Sequence, residues 1–333
     1  AALLLLCVPT ILLAYAPNLA AFAALRVVQG LLMATAFSLT LAYLGERCSA
    51  RAASGAFAAY VTGNVAANLF GRLLAASVVE RFGLDANFFV FAALNAAGGA
   101  LALFAIRSSG ARMSAPAAPL AAVLRHLKTP PLAGAFAIGF LILFAFIGVF
   151  TYVNFVLVRP PFAVPRMSLG LVYFVFAPAI VTTPLAGRVA ARLSPQAALR
   201  LGLVGALAGL PLLLAGVLPL VLAGMALFAV GAFFAQAAAT AHVSRTATTD
   251  KGAASGLYLA SYFAGGLAGA AALGAIFDAF GWAACLAGVA AALFAALILT
   301  RALVPAHRHH AETAFLNAAH ERDNLVASNG RDG

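Results

Sequence analysis

The chain has 333 residues, of which 64% are hydrophobic and 9% charged, with a formal net charge of +11. Soluble domains carry about a quarter charged residues, so this composition excludes one, and a mean hydropathy of +1.03 places the chain in a membrane. A transmembrane barrel would need alternating segments of about ten residues, which are missing, whereas uninterrupted apolar runs of the roughly 20 residues that a helix needs abound.

Ten spans are predicted, over residues 1–16, 19–45, 53–79, 86–106, 132–157, 168–187, 198–218, 219–241, 253–277 and 280–303. Proline, glycine or charge punctuates the joins, as in "APN", "GERCSAR", "ERFGLDAN" and "RPPFAVPR". The longest connection is 107–131, and the tail 304–333 is polar. The basic residues lie in the loops, so the positive charge is not a nucleic-acid footprint. Loops after even-numbered spans, with the start of the tail, hold thirteen Arg and Lys, among them Arg47, Arg107, Arg125, Arg188, Arg245 and Arg301. The opposite side holds Arg81, Arg159 and Arg166. That bias predicts a cytoplasmic first side and a cytoplasmic C-terminus.

Polar residues inside spans are the candidates for function, because a charge at membrane depth costs about 2.5 to 3.5 kcal/mol on insertion scales. Arg26 and Gln29 stand in "FAALRVVQGLLMATAF" on the second span. Arg26 could bind a substrate anion or relay a proton, or could cap carbonyls of a neighbouring helix. Helical spacing puts Gly30, Met33 and Phe37 on its face, where Met and Phe could adapt to an amphipathic substrate or pack a core. On the third span, Asn64 and Asn68 lie one turn apart and could line the path or bond across helices. Arg72 could contribute to the path or snorkel to the interface. Thr151, Tyr152 and Asn154 end the fifth span, as aromatic belt or gate. Gln236, Tyr258, Ser261 and Tyr262 supply polar groups on the eighth and ninth spans. Gly63, Ala67 and Gly71, and likewise Gly265 and Gly269, follow the small-residue spacing that lets helices approach closely.

The acids Glu46, Glu80, Asp85, Asp250 and Asp278 lie at span ends or in loops, so no carboxylate is expected at mid-membrane. Cys7, Cys48 and Cys285 share no motif spacing. The tail's "HRHH", His307 to His310, reads as a solvated basic run, and no metal or cofactor is expected. Catalytic clusters, filter loops and charged rings are missing, which argues against an enzyme and a channel.

The chain also repeats itself. An offset of 202 matches Pro9 with Pro211 and Pro17 with Pro219; an offset of 201 matches Gly30 with Gly231 and "ASG" at 53–55 with "ASG" at 254–256. "FG" at 82–83 answers "FG" at 280–281. Residues 203–303 thus mirror 1–106, while 132–202 lack a counterpart. Parallel repeats of this kind build transporters. The pattern predicts six helices plus six, of which this chain holds four plus six, the missing pair preceding Ala1. The counterpart of Arg26 is Leu227, so symmetry does not require the charge.

Four segments resemble the major facilitator superfamily, in particular its bacterial drug- and sugar-efflux permeases. "RVVQG" (Arg26 to Gly30) resembles the R-x-x-Q-G motif of its fourth helix and "YVTGNVAANLFGRLL" (Tyr60 to Leu74) its glycine-rich fifth helix. "TYVNFVLVRPPF" (Thr151 to Phe162) resembles the end of its seventh helix and "LAGRVAARLSP" (Leu185 to Pro195) its basic loop. Two positions depart from the pattern: Ala191 replaces the acid before Arg192, and Asn64 replaces proline after Gly63. The resemblance implies an all-α membrane fold with residues 1–106 as the remainder of an N-terminal bundle, 107–131 as the cytoplasmic connection, 132–303 as a C-terminal six-helix bundle and 304–333 as a cytoplasmic tail. It implies an inner-membrane secondary transporter of a small molecule, outward-directed and potentially proton-coupled, working by alternating access. An uptake permease, or an inactive fragment of such a protein, are the alternatives. Arg26, Gln29, Met33, Phe37, Asn64, Asn68, Tyr152, Asn154, Gln236, Tyr258 and Tyr262 are the expected path residues, with Gly30, Gly63, Gly71, Gly265 and Gly269 as packing glycines.

Overall fold

In the computed structural model, residues 2–48, 50–105, 120–165 and 168–303 are described, and all their regular structure is helical. The predicted tail 304–333, with His307 to His310, and most of the connection 107–131 lie outside these residues. The helices are α1 (Ala2–Leu5), α2 (Cys7–Leu12), α3 (Leu19–Arg47), α4 (Ala50–Ala105), α5 (Leu120–Leu127), α6 (Pro130–Leu157), α7 (Leu169–Val172), α8 (Ala177–Arg192), α9 (Pro195–Gly209), α10 (Leu218–Thr246) and α11 (Lys251–Leu299). Among the described residues, seven helical segments are long and apolar enough to cross a membrane, and the shorter apolar run Ala2–Tyr15 precedes them.

Local chemistry sets the ends. The Asn18 side chain accepts from the Ala21 amide at 2.8 Å and caps α3; Ser194 does the same for α9 through Ala197 at 3.0 Å. Prolines open α6, α8, α9 and α10, where a missing amide costs nothing. Both Pro9 and Pro211 precede or begin a tightened 3-10 turn, at Leu13–Tyr15 and Pro211–Leu214.

The "FG" match in the repeat marks the two chain reversals. Gly83 (φ 85°, ψ 175°) and Gly281 (φ 80°, ψ −170°) are the non-helical residues inside α4 and α11. A Cβ on Gly71 would lie 4.0 Å from Phe91, and one on Gly288 would lie 2.8 Å from Leu273. In a straight helix these pairs would be about 30 and 22 Å apart at 1.5 Å per residue, so each helix doubles back. The backbone region that both glycines occupy is open essentially to glycine alone. Gly83→Ala is therefore expected to lose about 1–3 kcal/mol, read as a lower thermal midpoint. Gly63→Ala, helical and facing open space, should match or exceed the wild-type midpoint.

α6 packs on α11, α9 on α10, and α4 reaches across to α8 and α10. Taking α1 to α4 as the first helix group and α6 to α11 as the second, by chain order, the core lies in the second, around Phe146, Phe150, Phe176 and Phe228 with ring centroids as close as 4.6 Å. Glycines let the backbones meet there. A Cβ on Gly265 would overlap the Phe140 carbonyl, and one on Gly269 would sit 2.6 Å from that of Phe144. Gly202 and Gly209 of α9 are likewise pressed on Ala235 and Gly224 of α10, at 2.6 and 2.7 Å. The expectation for the first group is corrected: Gly30 and Gly63 face open space, and Gly71 makes only an ordinary contact. Spacing there provides small residues on which, among the described residues, no helix is seated.

The predicted loop 107–131 is corrected too, since it contains α5 and the start of α6. Leu120, Val123, Leu124 and Leu127 recur at helical spacing. Arg125 of α5 pairs with Asp250 before α11 at 2.5 Å, which ties the connection to the second group.

Candidate functional site

Arg26 lies seven residues into α3, about 10 Å along the axis. Its guanidinium stands 5.2 Å from the Phe22 ring centroid and 5.7 Å from that of Phe88. Its Nη1 donates to Gln29 Oε1 at 3.1 Å, and Gln29 Nε2 donates to Thr10 Oγ1 at 2.7 Å. Thr10 is buried and in turn donates to the Leu6 carbonyl at 2.7 Å. The charge is thus held by two rings and one amide, and no carboxylate pairs with it among the described residues. Arg26 itself is exposed, so its remaining donors are available to an anion. Met33 is 40% exposed further along the same helix, and Gly30 leaves space beside it.

A second cluster forms where the helix groups meet. Phe37 of α3 packs edge-on to Tyr60 of α4 and stacks on Phe263 of α11, both at 6.2 Å. Tyr262 meets Phe263 edge-on at 5.6 Å and Tyr258 at 6.1 Å. The Tyr262 hydroxyl stands beside the Gln236 side chain of α10, and the Tyr60 hydroxyl beside that of Asn64. Tyr258, Tyr262, Gln236 and Thr240 are all buried. The Tyr258 hydroxyl approaches Thr240 without closing a hydrogen bond of good geometry. Five predicted residues, Phe37, Asn64, Gln236, Tyr258 and Tyr262, therefore converge on a seam between the helix groups, with Tyr60, Thr240 and Phe263 as members that sequence reasoning missed. Asn68 turns back on its own helix, donating to the Asn64 carbonyl at 3.0 Å.

The two remaining candidates lie elsewhere. Tyr152 donates its hydroxyl to the Ala270 carbonyl and stacks on Phe277 at 5.3 Å, which fastens α6 to α11. Asn154 donates to the Tyr173 hydroxyl at 2.9 Å and accepts from it at 3.1 Å. The Arg72 guanidinium lies 4.2 Å over the Tyr173 ring. This joins α4 to the segment before α8, and one turn nearer the chain reversal a Cβ on Gly170 would meet the Ala76 Cβ at 3.3 Å. No sequence signal links residues 72 and 173, because the contact crosses the helix groups.

The Major Facilitator Superfamily profile matches residues 1–177 and 161–318. An uncharacterized MFS-type transporter of Bacillus subtilis (strain 168), YybF, is 26% identical over 292 residues, covering 86% of this chain and 72% of the relative. An uncharacterized transporter of Buchnera aphidicola subsp. Schizaphis graminum is 25% identical over 268 residues, covering 79% of this chain and 64% of the relative. Among solved structures, the human organic anion transporter MFSD10 (TETRAN) superposes with a TM-score of 0.69 at 20% identity, over 90% of this chain and 76% of that one. FucP in the outward conformation gives 0.65 at 14% identity, over 91% and 83%. At these identities the structural likeness concerns the fold.

Proposed function

The chain belongs to the Major Facilitator Superfamily, and we propose that the protein is a secondary carrier for a small organic anion, not an enzyme, working by alternating access. The observation that carries the substrate class is Arg26, a membrane-depth guanidinium braced by Phe22, Phe88 and Gln29 and paired with no carboxylate among the described residues. A cation in a medium of low dielectric attracts an anion far more strongly than one in water. The neighbouring Met33 and Phe37 suit the apolar part of such a molecule. A structural neighbour described as an organic anion transporter points the same way. The seam of Tyr60, Tyr258, Tyr262 and Gln236 is the surface on which the helix groups part, since hydroxyl and amide groups tolerate both burial and water. Outward transport, exchange against protons, a bacterial inner-membrane location and a cytoplasmic C-terminus complete the reading. They are supported by the motif resemblances and the basic loops. The separation into bundles before 107 and after 131 belongs to it as well.

The test is uptake of labelled mono- and dicarboxylates into proteoliposomes under an imposed pH gradient. Arg26→Ala is expected to lose at least about tenfold of the transport rate, since a charge-assisted hydrogen bond is lost. Arg26→Lys should keep part of it. Gln29→Ala breaks the tether to Thr10 and leaves the guanidinium on its rings, so it should stay within a fewfold of wild type. Undiminished transport by Arg26→Ala sinks the assignment, and equal losses in Arg26→Ala and Gln29→Ala would reduce Arg26 to a fastener.

A further inference from the structure

We propose that Arg72, stacked on Tyr173 where the two helix groups touch, is a separate anion-binding site that takes a carboxylate or phosphate group. Arg72 lies eleven residues before Gly83 on a continuous helical limb, about 16 Å from the reversal. Helical side chains incline toward the N-terminus, which for this limb is away from the reversal. An arginine snorkelling to the nearer interface would work against that tilt. This one instead meets an aromatic face of the other helix group at 4.2 Å, well inside cation–π range.

The tyrosine is fixed before the arginine arrives. Tyr173 is 6% exposed, and its hydroxyl both donates to and accepts from Asn154. Asn154 is held in turn by the Phe150 and Thr151 carbonyls at 2.8 and 3.3 Å. The ring beneath the guanidinium satisfies the charge but none of its five N–H donors. Among the described residues no carbonyl, hydroxyl or carboxylate takes them, and Arg72 is exposed. A guanidinium held over a ring with its planar donor fork unpaired can recognise a carboxylate or phosphate bidentately. The anion could belong to a soluble molecule or to a lipid headgroup, and the shared chemistry is the same. The site stands apart from the Arg26 reading, since it uses other helices and other rings.

The test follows the thermal midpoint of the protein in phosphatidylcholine nanodiscs, titrated with sodium phosphate at constant ionic strength. A parallel arm uses nanodiscs containing phosphatidylglycerol. A rise with phosphate marks a soluble anion; a rise confined to phosphatidylglycerol marks a headgroup. Arg72→Gln should remove the rise, weakening apparent affinity at least about tenfold, while Arg159→Gln, at an exposed loop arginine, should keep it. Arg72→Lys, which keeps the charge and loses the planar fork, should retain a reduced response. The proposal is overturned if neither anion raises the wild-type midpoint, or if Arg72→Gln responds as wild type does. Should Arg72→Gln fail to fold, an undiminished response in Arg72→Lys overturns it equally.

Discussion

Gly265→Val is expected to destabilise the protein by about 3 kcal/mol or more, at the upper end of what overpacking costs. The reason is what the new side chain would strike. A Cβ at Gly265 overlaps the carbonyl of Phe140, a backbone group locked into the middle of α6. One turn on, Gly269 is equally close to the Phe144 carbonyl. Neither carbonyl can move without shifting the whole helix, so α6 and α11 must separate along the most extensive helix contact in the protein. Gly148 provides the internal comparison. A Cβ there meets the Leu273 and Val289 side chains, whose ends can give way, so Gly148→Ala should be milder. Gly63→Val should be milder still, because nothing stands within 4 Å of that position. Thermal midpoint and monodisperse yield in detergent decide the order. A Gly265→Val protein melting with wild type would mean that α6 and α11 are not in backbone contact.

That comparison shows why the glycine spacing could be read at one site and not at another. Gly63 and Gly71 carry a related periodicity to Gly265 and Gly269, yet among the described residues only the second pair has a helix seated on it. Small residues permit close approach and do not bring a partner. The contact between α9 and α10 rests on Gly202, Gly209, Gly224 and Gly231, and the four-residue spacing of Gly205 and Gly209 was as legible there as that of Gly265 and Gly269. Span positions were more legible because proline, glycine and charge act locally. Gly83 and Gly281 stood out as "FG" pairs before their positive φ gave the match a cause. What periodicity could not supply is which face of each helix meets protein. In lipid, both faces of a helix are apolar, so the stripe that orients a helix in water carries little information here.

The candidate site divides along the same line. Arg26 was visible as a charge in a hydrocarbon run, and Gln29 as its neighbour one turn away. Thr10 and Phe88, which complete that setting, are distant in the chain and belong to types that are common in spans. Tyr258, Tyr262 and Gln236 were legible as polar groups at depth, but their meeting with Tyr60 and Phe37 is a product of packing between helix groups. Arg72 was ambiguous between path and interface. Only the Tyr173 ring beneath it, fixed by Asn154, separates the two.

A disulfide between Ala76→Cys and Gly170→Cys is expected to stop transport, and reduction to restore it. These positions face one another across the α4–α7 contact, with Cβ atoms 3.3 Å apart once Gly170 carries one. Bridged cysteines have Cβ atoms about 3.5–4.5 Å apart, so a shift of a few tenths of an ångström closes the bond. The pair belongs to different helix groups and lies one turn from Arg72 and Tyr173, at the end of the molecule marked by the Gly83 reversal. Alternating access requires each end to part in turn, and a covalent tie at one end holds that end shut while leaving the other free. The background should lack Cys7 and Cys48, which are partly accessible, whereas Cys285 is buried. Each single cysteine should transport like the background under oxidising conditions, which separates locking from the cost of the substitutions. Substrate binding at Arg26, measured on the oxidised protein from the opposite face, should survive the tie, because the bond removes the conversion between states and leaves one state intact. Transport that continues at full rate in a fully cross-linked sample would mean that this contact does not open during the cycle, and the moving surface would then have to lie along Tyr60, Tyr258 and Tyr262 alone.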